Sequence, residues 1–398
     1  MIALDDAQRR VLAECVPLHP TAIPLGEALG CVTSVELRAD DDVPPFANTA
    51  MDGFAVRAVD ATAGARLKVV ATLPAGQAPD RAVGRGEAVR IMTGAPIPEG
   101  ADAIVMVEDT TVDDEGIVVI GKAACAGDHV RPAGEDLAAG QVAFEPFTVL
   151  GPGHLGVLAS LGYQRVPVFR RARVGVLSTG DELVDDGSAL RPGQIRDSNR
   201  PTLVAMVREA GCDAVDLGVV ADDESAITTV LERGLAECDA LVTSGGVSMG
   251  DFDYIKVVLD RMGAMRWWQV SIRPAKPLAF GIVAGKPVFG LPGNPVSSMV
   301  SFELFARPAL RRMMGHRDLF RPTVDAVADA ALRRRPDGKV HFVRVIASTG
   351  DDGRWHIRSS GGQGSNLLRA MALANALAVL PDGDGVAEGE NVEVMLLT

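Results

Sequence analysis

Short apolar runs alternate with amphipathic segments between residues 171 and 316. Continuous apolar runs predict buried strands, and apolar residues that recur every three or four positions predict helices. The predicted strands are 173–177, 214–220, 240–243 and 287–290, and the predicted helices are 201–210, 224–237, 253–262 and 296–314. Strands that alternate with helices are typical of βαβ units, so we expect a parallel, doubly wound sheet in this region.

The pattern changes on both sides of residues 171–316, which predicts a multidomain α/β protein. Residues 40–143 are rich in glycine and proline and carry short β-prone runs, which predict an inserted β-rich domain of barrel or sandwich type. Helical periodicity in residues 1–39, including a short helix at 24–29, and in residues 144–170 predicts one discontinuous linking domain. Residues 317–398 predict a C-terminal β-barrel-like domain, in which Arg333, Arg334 and Arg335 are expected to form a solvated basic run.

Composition and charge narrow the classes of molecule that the protein is expected to bind. The chain has 398 residues, 47% of them apolar, and a formal net charge of −13, which argues against nucleic acid or an anionic membrane as the main partner. Its five cysteines include no Cys-x-x-Cys pair, and its six histidines show no zinc-ligand spacing. No apolar run is long enough to span a bilayer. We therefore expect a soluble, cytoplasmic protein with reduced thiols.

Polar residues follow each predicted strand of the βαβ region. Ligands of such sheets bind at the carboxyl ends of the strands, where these residues should meet. Glycine turns there can bring backbone N–H groups to an anion, and carboxylates beside an anion call for a bridging Mg²⁺. The candidates are Ser178, Thr179, Gly180, Glu182, Asp222, Ser244, Gly245, Gly246, Ser248, Asp251, Asp253, Arg273, Lys276, Pro292, Gly293, Asn294 and Pro295. The set predicts a phosphate-plus-metal pocket, although each aspartate alone also fits a helix cap, and each cation a solvated side chain.

Further polar candidates lie outside the βαβ region. Asp52, Thr93 and Asp136 each stand beside glycine in the inserted β-rich domain, where each also fits an ordinary turn. Arg344 and Ser365, the latter at the end of the glycine-rich loop 361–365, could contribute a cation and a donor to a neighbouring site.

Seven stretches together resemble one known family over essentially the whole chain. They are 51–57 (MDGFAVR), 90–95 (RIMTGA), 134–136 (GED), 178–183 (STGDEL), 244–254 (SGGVSMGDFDY), 277–281 (PLAFG) and 290–295 (GLPGNP). In this order and spacing the chain resembles the molybdopterin molybdenumtransferase family, which includes MoeA and the E domain of gephyrin. The resemblance implies a four-part, elongated homodimer with its active cleft between the βαβ domain of one subunit and parts of the other. It implies Mg²⁺-dependent insertion of molybdate into adenylylated molybdopterin, with release of AMP and molybdenum cofactor.

The resemblance also implies roles for individual residues. Its functional acids match Asp52, Asp136, Glu182, Asp222 and Asp253, its functional threonine matches Thr93, and its motif prolines match Pro292 and Pro295. Glu182 and Asp253 are the expected Mg²⁺ ligands. Arg273 and Lys276, with Arg344 and Ser365, are expected to hold molybdate. The Ser-Gly-Gly loop is expected to cradle the pterin phosphate or the AMP moiety. Two positions depart from the family pattern, because Arg273 stands where many relatives have lysine and Gln269 stands where at least some relatives have lysine.

Two other functions fit parts of the chain. A molybdopterin adenylyltransferase would share the βαβ domain but not the additional β domains. A non-catalytic cofactor-binding scaffold would share the whole fold, but we would expect it to have lost some of the matched acids. An adenylyltransferase and molybdoenzymes or their chaperones are the expected transient partners, and a preference for molybdate over tungstate does not follow from the sequence.

Overall fold

The computed structural model describes residues 1–245 and 254–397, and the chain divides into two compact units. The first unit comprises Met1–Ile23, Gly30–Ser34 and Pro167–Thr398, and the second comprises Pro24–Leu29 and Val35–Val166. The chain therefore leaves the first unit near its N-terminus and returns to it near residue 167. Each unit has its own apolar core.

The elements before residue 165 include two helices. In chain order they are α1 (Leu4–Glu14), β1 (Pro20–Pro24), β2 (Val32–Thr33), β3 (Leu37–Arg38), β4 (Asn48–Thr49), β5 (Gly53–Val56), β6 (Arg66–Leu73), β7 (Glu87–Ile91), β8 (Ala103–Met106), β9 (Thr110–Val112), β10 (Ile117–Ile120), β11 (Val130–Arg131), β12 (Val142–Phe144) and α2 (Pro152–Ser160). In α1, Ala7 and Val11 are buried one turn apart, and Asp5 and Asp6 lie in its first turn, where the helix dipole favours acids. The short helix predicted at 24–29 is wrong, because only a 3-10 turn forms there.

The second unit is built on a six-stranded sheet. Its strand order is β8-β5-β7-β6-β10-β9, and the β-prone runs of this region, at 54–56, 67–71, 88–92, 103–107 and 116–120, all lie in it. Inward side chains of β5, β6, β8 and β10 form one core: Phe54, Val56, Leu67, Val105, Val118 and Ile120. At Gly53 a side chain would place its Cβ 2.2 Å from the Val105 carbonyl oxygen, so the close approach of β5 to β8 requires glycine.

The first unit contains the remaining elements. They are β13 (Arg165–Phe169), β14 (Arg173–Thr179), β15 (Leu183–Val184), β16 (Ile195–Arg196), α3 (Asn199–Glu209), β17 (Asp213–Val220), α4 (Glu224–Glu237), β18 (Ala240–Ser244), α5 (Tyr254–Met262), β19 (Ala264–Gln269), β20 (Ile272–Arg273), β21 (Pro277–Val283), β22 (Lys286–Leu291), α6 (Pro295–Ser301), α7 (Arg307–Met313), β23 (Thr323–Ala328), β24 (Leu332–Arg333), β25 (Val340–Thr349), β26 (Trp355–Ser359), α8 (Leu368–Ala372), β27 (Ala376–Leu380), β28 (Gly385–Val386) and β29 (Asn391–Leu396). The long helix predicted at 296–314 is interrupted by a π-helical turn at Phe302–Ala306 between α6 and α7.

A six-stranded sheet with helices on both faces forms the centre of the first unit. Its strand order is β17-β14-β18-β22-β21-β19, with the first four strands parallel. Val176 and Val242 pack with α3 and α6 on one face, whereas Leu177 and Leu241 pack with α4 and α5 on the other. This alternation confirms the doubly wound fold. The two antiparallel strands β21 and β19, which the sequence did not predict, extend the parallel sheet.

The C-terminal strands close into a barrel. Strands β25, β26, β23, β29 and β27 pair in that order, and β27 pairs back onto β25, which completes the ring. Strand β20 pairs with β25, so that Arg273 lies beside His341 in the sheet. The loop that carries the predicted molybdate-binding cations is therefore attached to the barrel wall. No helix among the described residues is long and apolar enough to cross a bilayer.

Candidate functional site

The carboxyl ends of β14 and β18 place a buried group of hydroxyls at one edge of the central sheet. Ser178 pairs with Ser244 in the parallel register, and both are almost fully buried. Thr179 follows Ser178, and Gly180 then donates its N–H to the Val220 carbonyl at 3.2 Å. This edge is therefore built from backbone and small side chains rather than bulky ones, as an anion-binding turn requires.

Gly245 turns the chain at the end of β18. Its φ of +93° favours glycine, and a Cβ there would lie 3.0 Å from the Thr179 carbonyl oxygen. Its N–H donates to the Leu291 carbonyl at 3.2 Å, which ties this turn to the end of β22. The next predicted residues, Gly246, Ser248, Asp251 and Asp253, lie outside the described residues.

Asn199 connects two of these turns, and the sequence reasoning did not select it. Its Nδ2 donates to Ser244 Oγ at 2.8 Å and to the Gly293 carbonyl at 2.7 Å. The available signal was its position at the end of the Asp-Ser-Asn stretch where α3 begins, at the same edge of the sheet. One amide thus fixes the separation of the β18 and β22 loops.

Arg200 holds the neighbouring segment through a group of carboxylates. Its guanidinium pairs with Asp197 at 3.0 Å and Asp185 at 2.7 Å, and also with Asp216. Asp197 accepts in addition from Ser178 Oγ at 3.2 Å. This network stiffens the edge beneath the candidate site, since charge-assisted hydrogen bonds are short and directional.

Three acidic residues lie together at the ends of β14 and β17. Burial, followed by the charges of Asp181 and Glu182, raises the pKa of Asp222, as expected where like charges converge. Asp223 instead caps α4 by accepting from the Ala226 N–H at 2.8 Å, so the cap alternative holds for Asp223 and not for Asp222. Among the described residues no group of three or more potential ligands has the geometry of a metal site. The Mg²⁺ site at Glu182 and Asp253 therefore stays a prediction.

The loop after β22 meets the C-terminal domain at the start of α6. Pro292 and Gly293 follow β22, Asn294 occupies the N-cap position, and Pro295 begins the helix. The N–H of Val296 donates to the Ser365 carbonyl at 3.1 Å. Ser365 therefore lies against this loop through its backbone carbonyl, which accepts the hydrogen bond, and the predicted donor role of its hydroxyl stays a prediction.

Arg344 is a fully buried cation close to this junction. Its Nη2 donates to the carbonyls of Gly362 at 2.8 Å and Gly364 at 3.1 Å. Its Nε and Nη1 have no hydrogen-bond partner among the described residues. Burial lowers the pKa of Arg344, and no described carboxylate offsets that cost. A buried polar group without a partner calls for an explanation, and a bound water or a bound anion would each satisfy these donors.

The two other predicted cations lie on an exposed loop next to the barrel. Arg273 ends β20 and Lys276 follows two residues after Pro274, and both side chains are exposed. The Val270 N–H donates to the Lys276 carbonyl at 2.7 Å, which closes the loop. Gln269, the other departure from the family pattern, ends the edge strand β19 and is also exposed.

In the second unit, Asp52 and Thr93 form one exposed site. Asp52 precedes β5 and Thr93 follows β7, and these strands are antiparallel neighbours. The Asp52 carboxylate accepts from the backbone N–H of Thr93 at 2.7 Å and from its hydroxyl at 2.8 Å. These two hydrogen bonds lower the pKa of Asp52. Asp136 lies in a separate turn, where its N–H donates to the Val43 carbonyl at 3.0 Å.

Comparison with known proteins covers the chain in three consecutive parts. The model described as MoeA N-terminal region (domain I and II) matches residues 2–162, the one described as probable molybdopterin binding domain matches 175–312, and the one described as MoeA C-terminal region (domain IV) matches 327–397. The molybdopterin molybdenumtransferase of Haemophilus influenzae is 36% identical over 397 residues, which are 99% of this chain and 98% of that protein. The chain belongs to the molybdopterin molybdenumtransferase family.

Other members of the family agree at full length. Molybdopterin molybdenumtransferase 2 of Mycobacterium tuberculosis is 41% identical over 406 residues, covering 98% of both chains. A crystal structure of the molybdopterin biosynthesis MoeA protein from Pyrococcus horikosii has a TM-score of 0.83 at 30% identity, covering 100% of this chain and 99% of that one. The family and fold class that the motifs predicted are therefore confirmed, together with the assignment to a transferase family of molybdenum cofactor biosynthesis.

Proposed function

We propose that this protein inserts molybdate into adenylylated molybdopterin and releases AMP and molybdenum cofactor. The observation that carries the proposal is the buried guanidinium of Arg344, whose Nε and Nη1 lack partners among the described residues. Arg344 contacts the same glycine-rich loop that accepts a hydrogen bond from the start of α6. An oxyanion at this position would satisfy the orphaned donors and offset the burial of the charge. Membership of a molybdenumtransferase family makes molybdate the fitting oxyanion.

The remaining cations and turns would bind the rest of the substrates. Arg273 and Lys276 would hold molybdate together with Arg344 and the Ser365 hydroxyl. The turn at Ser244 and Gly245 would cradle the pterin phosphate or the AMP moiety, with Asn199 fixing its distance from the Gly293 turn. Each group would act by binding and orienting the two substrates, which lowers the entropic cost of bringing them together.

The acidic edge fits a divalent cation. Burial and the adjacent carboxylates of Asp181 and Glu182 disfavour the charged form of Asp222, and a cation would relieve that repulsion. Glu182 and Asp253 would be the Mg²⁺ ligands, with Asp222 nearby. When bound, Mg²⁺ would supply Lewis-acid activation of the pyrophosphate.

The second unit would complete the site in a homodimer. Asp52, Thr93 and Asp136 of one subunit would line the active cleft of the other subunit. There the Asp52 carboxylate would orient hydrogen-bond donors or the metal ion. We place the protein in the cytoplasm, where an adenylyltransferase would deliver its substrate and molybdoenzymes or their chaperones would receive the product.

The test is AMP release from adenylylated molybdopterin by the purified protein with Mg²⁺, measured with and without molybdate. We expect release that depends on molybdate and is lost in Asp253→Asn and Glu182→Gln. The matched control is Asp325→Asn, because Asp325 is an exposed strand residue of the barrel. Absence of release by the wild type would overturn the proposal and favour the adenylyltransferase or the scaffold. Release that survives in Asp253→Asn would retain the function and refute the metal assignment.

A further inference from the structure

A cavity of about 440 Å³ opens where the C-terminal barrel meets strand β20. We call it the arginine pocket, because Arg273, Arg333, Arg334 and Arg335 all line it. Asp337 contributes the single carboxylate of its lining, so positive charges outnumber negative charges by three. This local balance is opposite to that of the whole chain, whose net charge is −13. A concentration of cations in an acidic protein predicts a bound anion.

One of these arginines has a structural role. The sequence predicted a solvated run, which is wrong for Arg334, because only 3% of its side chain is exposed. Arg334 pairs with Asp337 and Asp382, each at 2.8 Å, and donates to the carbonyls of Lys339, Leu380 and Pro381. The Asp337 carboxylate is therefore already paired with Arg334, and Arg334 connects the residues that line the pocket.

The other three arginines remain available to a ligand. No described carboxylate forms an ion pair with Arg273, Arg333 or Arg335. His341 also lines the pocket, and burial together with Arg334 and Arg273 lowers its pKa, so it does not add a charge at neutral pH. Because Arg273, Arg333 and Arg335 line one cavity and form no ion pair with another described residue, the electrostatic field in the pocket favours a multiply charged oxyanion.

The walls of the pocket exclude a bare ion as the fitting ligand. Leu332, Phe342, Val343 and Leu380 contribute apolar surface, and the volume lies in the range of pockets that hold small organic ligands. An inorganic phosphate would fill a small part of this space and would leave the apolar walls in water. A phosphate carried on an apolar or heteroaromatic body would use both features.

We propose that the arginine pocket binds a small organic phosphate, with the phosphate on Arg333, Arg335 and Arg273 and the organic body on the apolar wall. The proposal goes beyond the transferase function and does not depend on it. Arg333 and Arg335 belong to the pocket alone, whereas Arg273 is shared with the predicted molybdate site.

The test titrates the full-length protein calorimetrically with AMP, adenosine and inorganic phosphate at low salt. We expect AMP to bind at least about tenfold more tightly than either fragment, since each fragment satisfies one half of the pocket. The double variant Arg333→Gln/Arg335→Gln should weaken AMP binding at the arginine pocket about tenfold or more and leave any AMP binding at the Ser244–Gly245 turn unchanged. Arg10→Gln, at an exposed position of α1, should leave AMP binding unchanged.

A second readout locates the ligand. In protein with isotope-labelled histidine, AMP should shift the ring resonances of His341, and the double variant should abolish that shift. Unchanged AMP affinity in the double variant, or binding lost only in Lys276→Gln, would overturn the proposal by placing AMP elsewhere. Phosphate that binds as tightly as AMP would refute the organic-ligand class. Molybdate-dependent AMP release should persist in the double variant, so the transferase assay and the binding assay can fail independently.

Discussion

Asn199 provides the sharpest test of how the sheet edge is organised. Its Nδ2 donates to Ser244 Oγ and to the Gly293 carbonyl, and replacing it with alanine removes both hydrogen bonds. A net contribution of about 0.5–1.5 kcal/mol for each bond gives a total of about 1–3 kcal/mol. If that energy positions the two turns for the reaction, its loss should lower kcat/KM roughly 5- to 150-fold.

The assay is molybdate-dependent AMP release under steady-state conditions, with urea unfolding measured in parallel. Asn199→Asp keeps the shape of the side chain but replaces the donor with an acceptor that faces a carbonyl. We therefore expect it to be at least as impaired as Asn199→Ala. Asn391→Ala is the matched control, because among the described residues the Asn391 side chain accepts a hydrogen bond only from Arg354 on the barrel surface.

Two results would refute this reasoning. Activity within twofold of wild type in Asn199→Ala would show that the two hydrogen bonds do not position the turns. Full activity in Asn199→Asp would show that the donor is irrelevant. A fall in stability without any fall in kcat/KM would assign Asn199 a role in folding alone.

Further predictions concern the acid limb of stability, the second unit and the barrel. Burial, Arg311 and Arg307 lower the pKa of His316 to about 4. Between about pH 6.5 and pH 4, His316 is therefore protonated in the unfolded chain but not in the folded chain. Unfolding free energy should therefore fall by about 3 kcal/mol between pH 6.5 and pH 4, and His316→Gln should remove this contribution in urea titrations, whereas an unchanged pH profile would contradict it. Asp52→Asn should lower AMP release about tenfold or more without changing stability. Thr93→Ala should have a smaller effect, because the backbone N–H of Thr93 still donates to Asp52. Equal activity in the wild type and both variants would exclude the pair from the reaction. Arg334→Gln should lower stability in chemical denaturation, because it removes a buried guanidinium that pairs with Asp337 and Asp382 and donates to three backbone carbonyls, and stability equal to that of the wild type would contradict this role.

Local patterns predicted the elements whose burial is uniform. Strands β14, β18 and β22 are buried on both faces and therefore appear as continuous apolar runs. The carboxyl-edge rule predicts that Ser178, Ser244 and Gly293 lie at one edge of the sheet, where Ser178 pairs with Ser244 and Asn199 connects Ser244 to Gly293. By contrast, β19 carries an arginine and a glutamine and lies at the sheet edge, where the pattern of burial is irregular.

The charged partners could not be predicted, because they depend on distances between elements far apart in the chain. The basic run at 333–335 looks uniform in the sequence, yet Arg334 is buried and pairs with Asp382, which lies 48 residues later. Arg344 occupies an ordinary strand position, and only the fold reveals that it lies buried with orphaned donors. Asn199 likewise gains its meaning from the register that sets Ser244 beside Leu291.

The most direct test of molybdenum insertion measures both products of one single-turnover reaction. Purified protein is mixed with a limiting amount of adenylylated molybdopterin, Mg²⁺ and molybdate, and AMP and pterin-bound molybdenum are quantified in the same sample. We expect one molybdenum inserted for each AMP released. AMP released without bound molybdenum, or molybdenum bound while the adenylyl group remains, would contradict the proposed reaction.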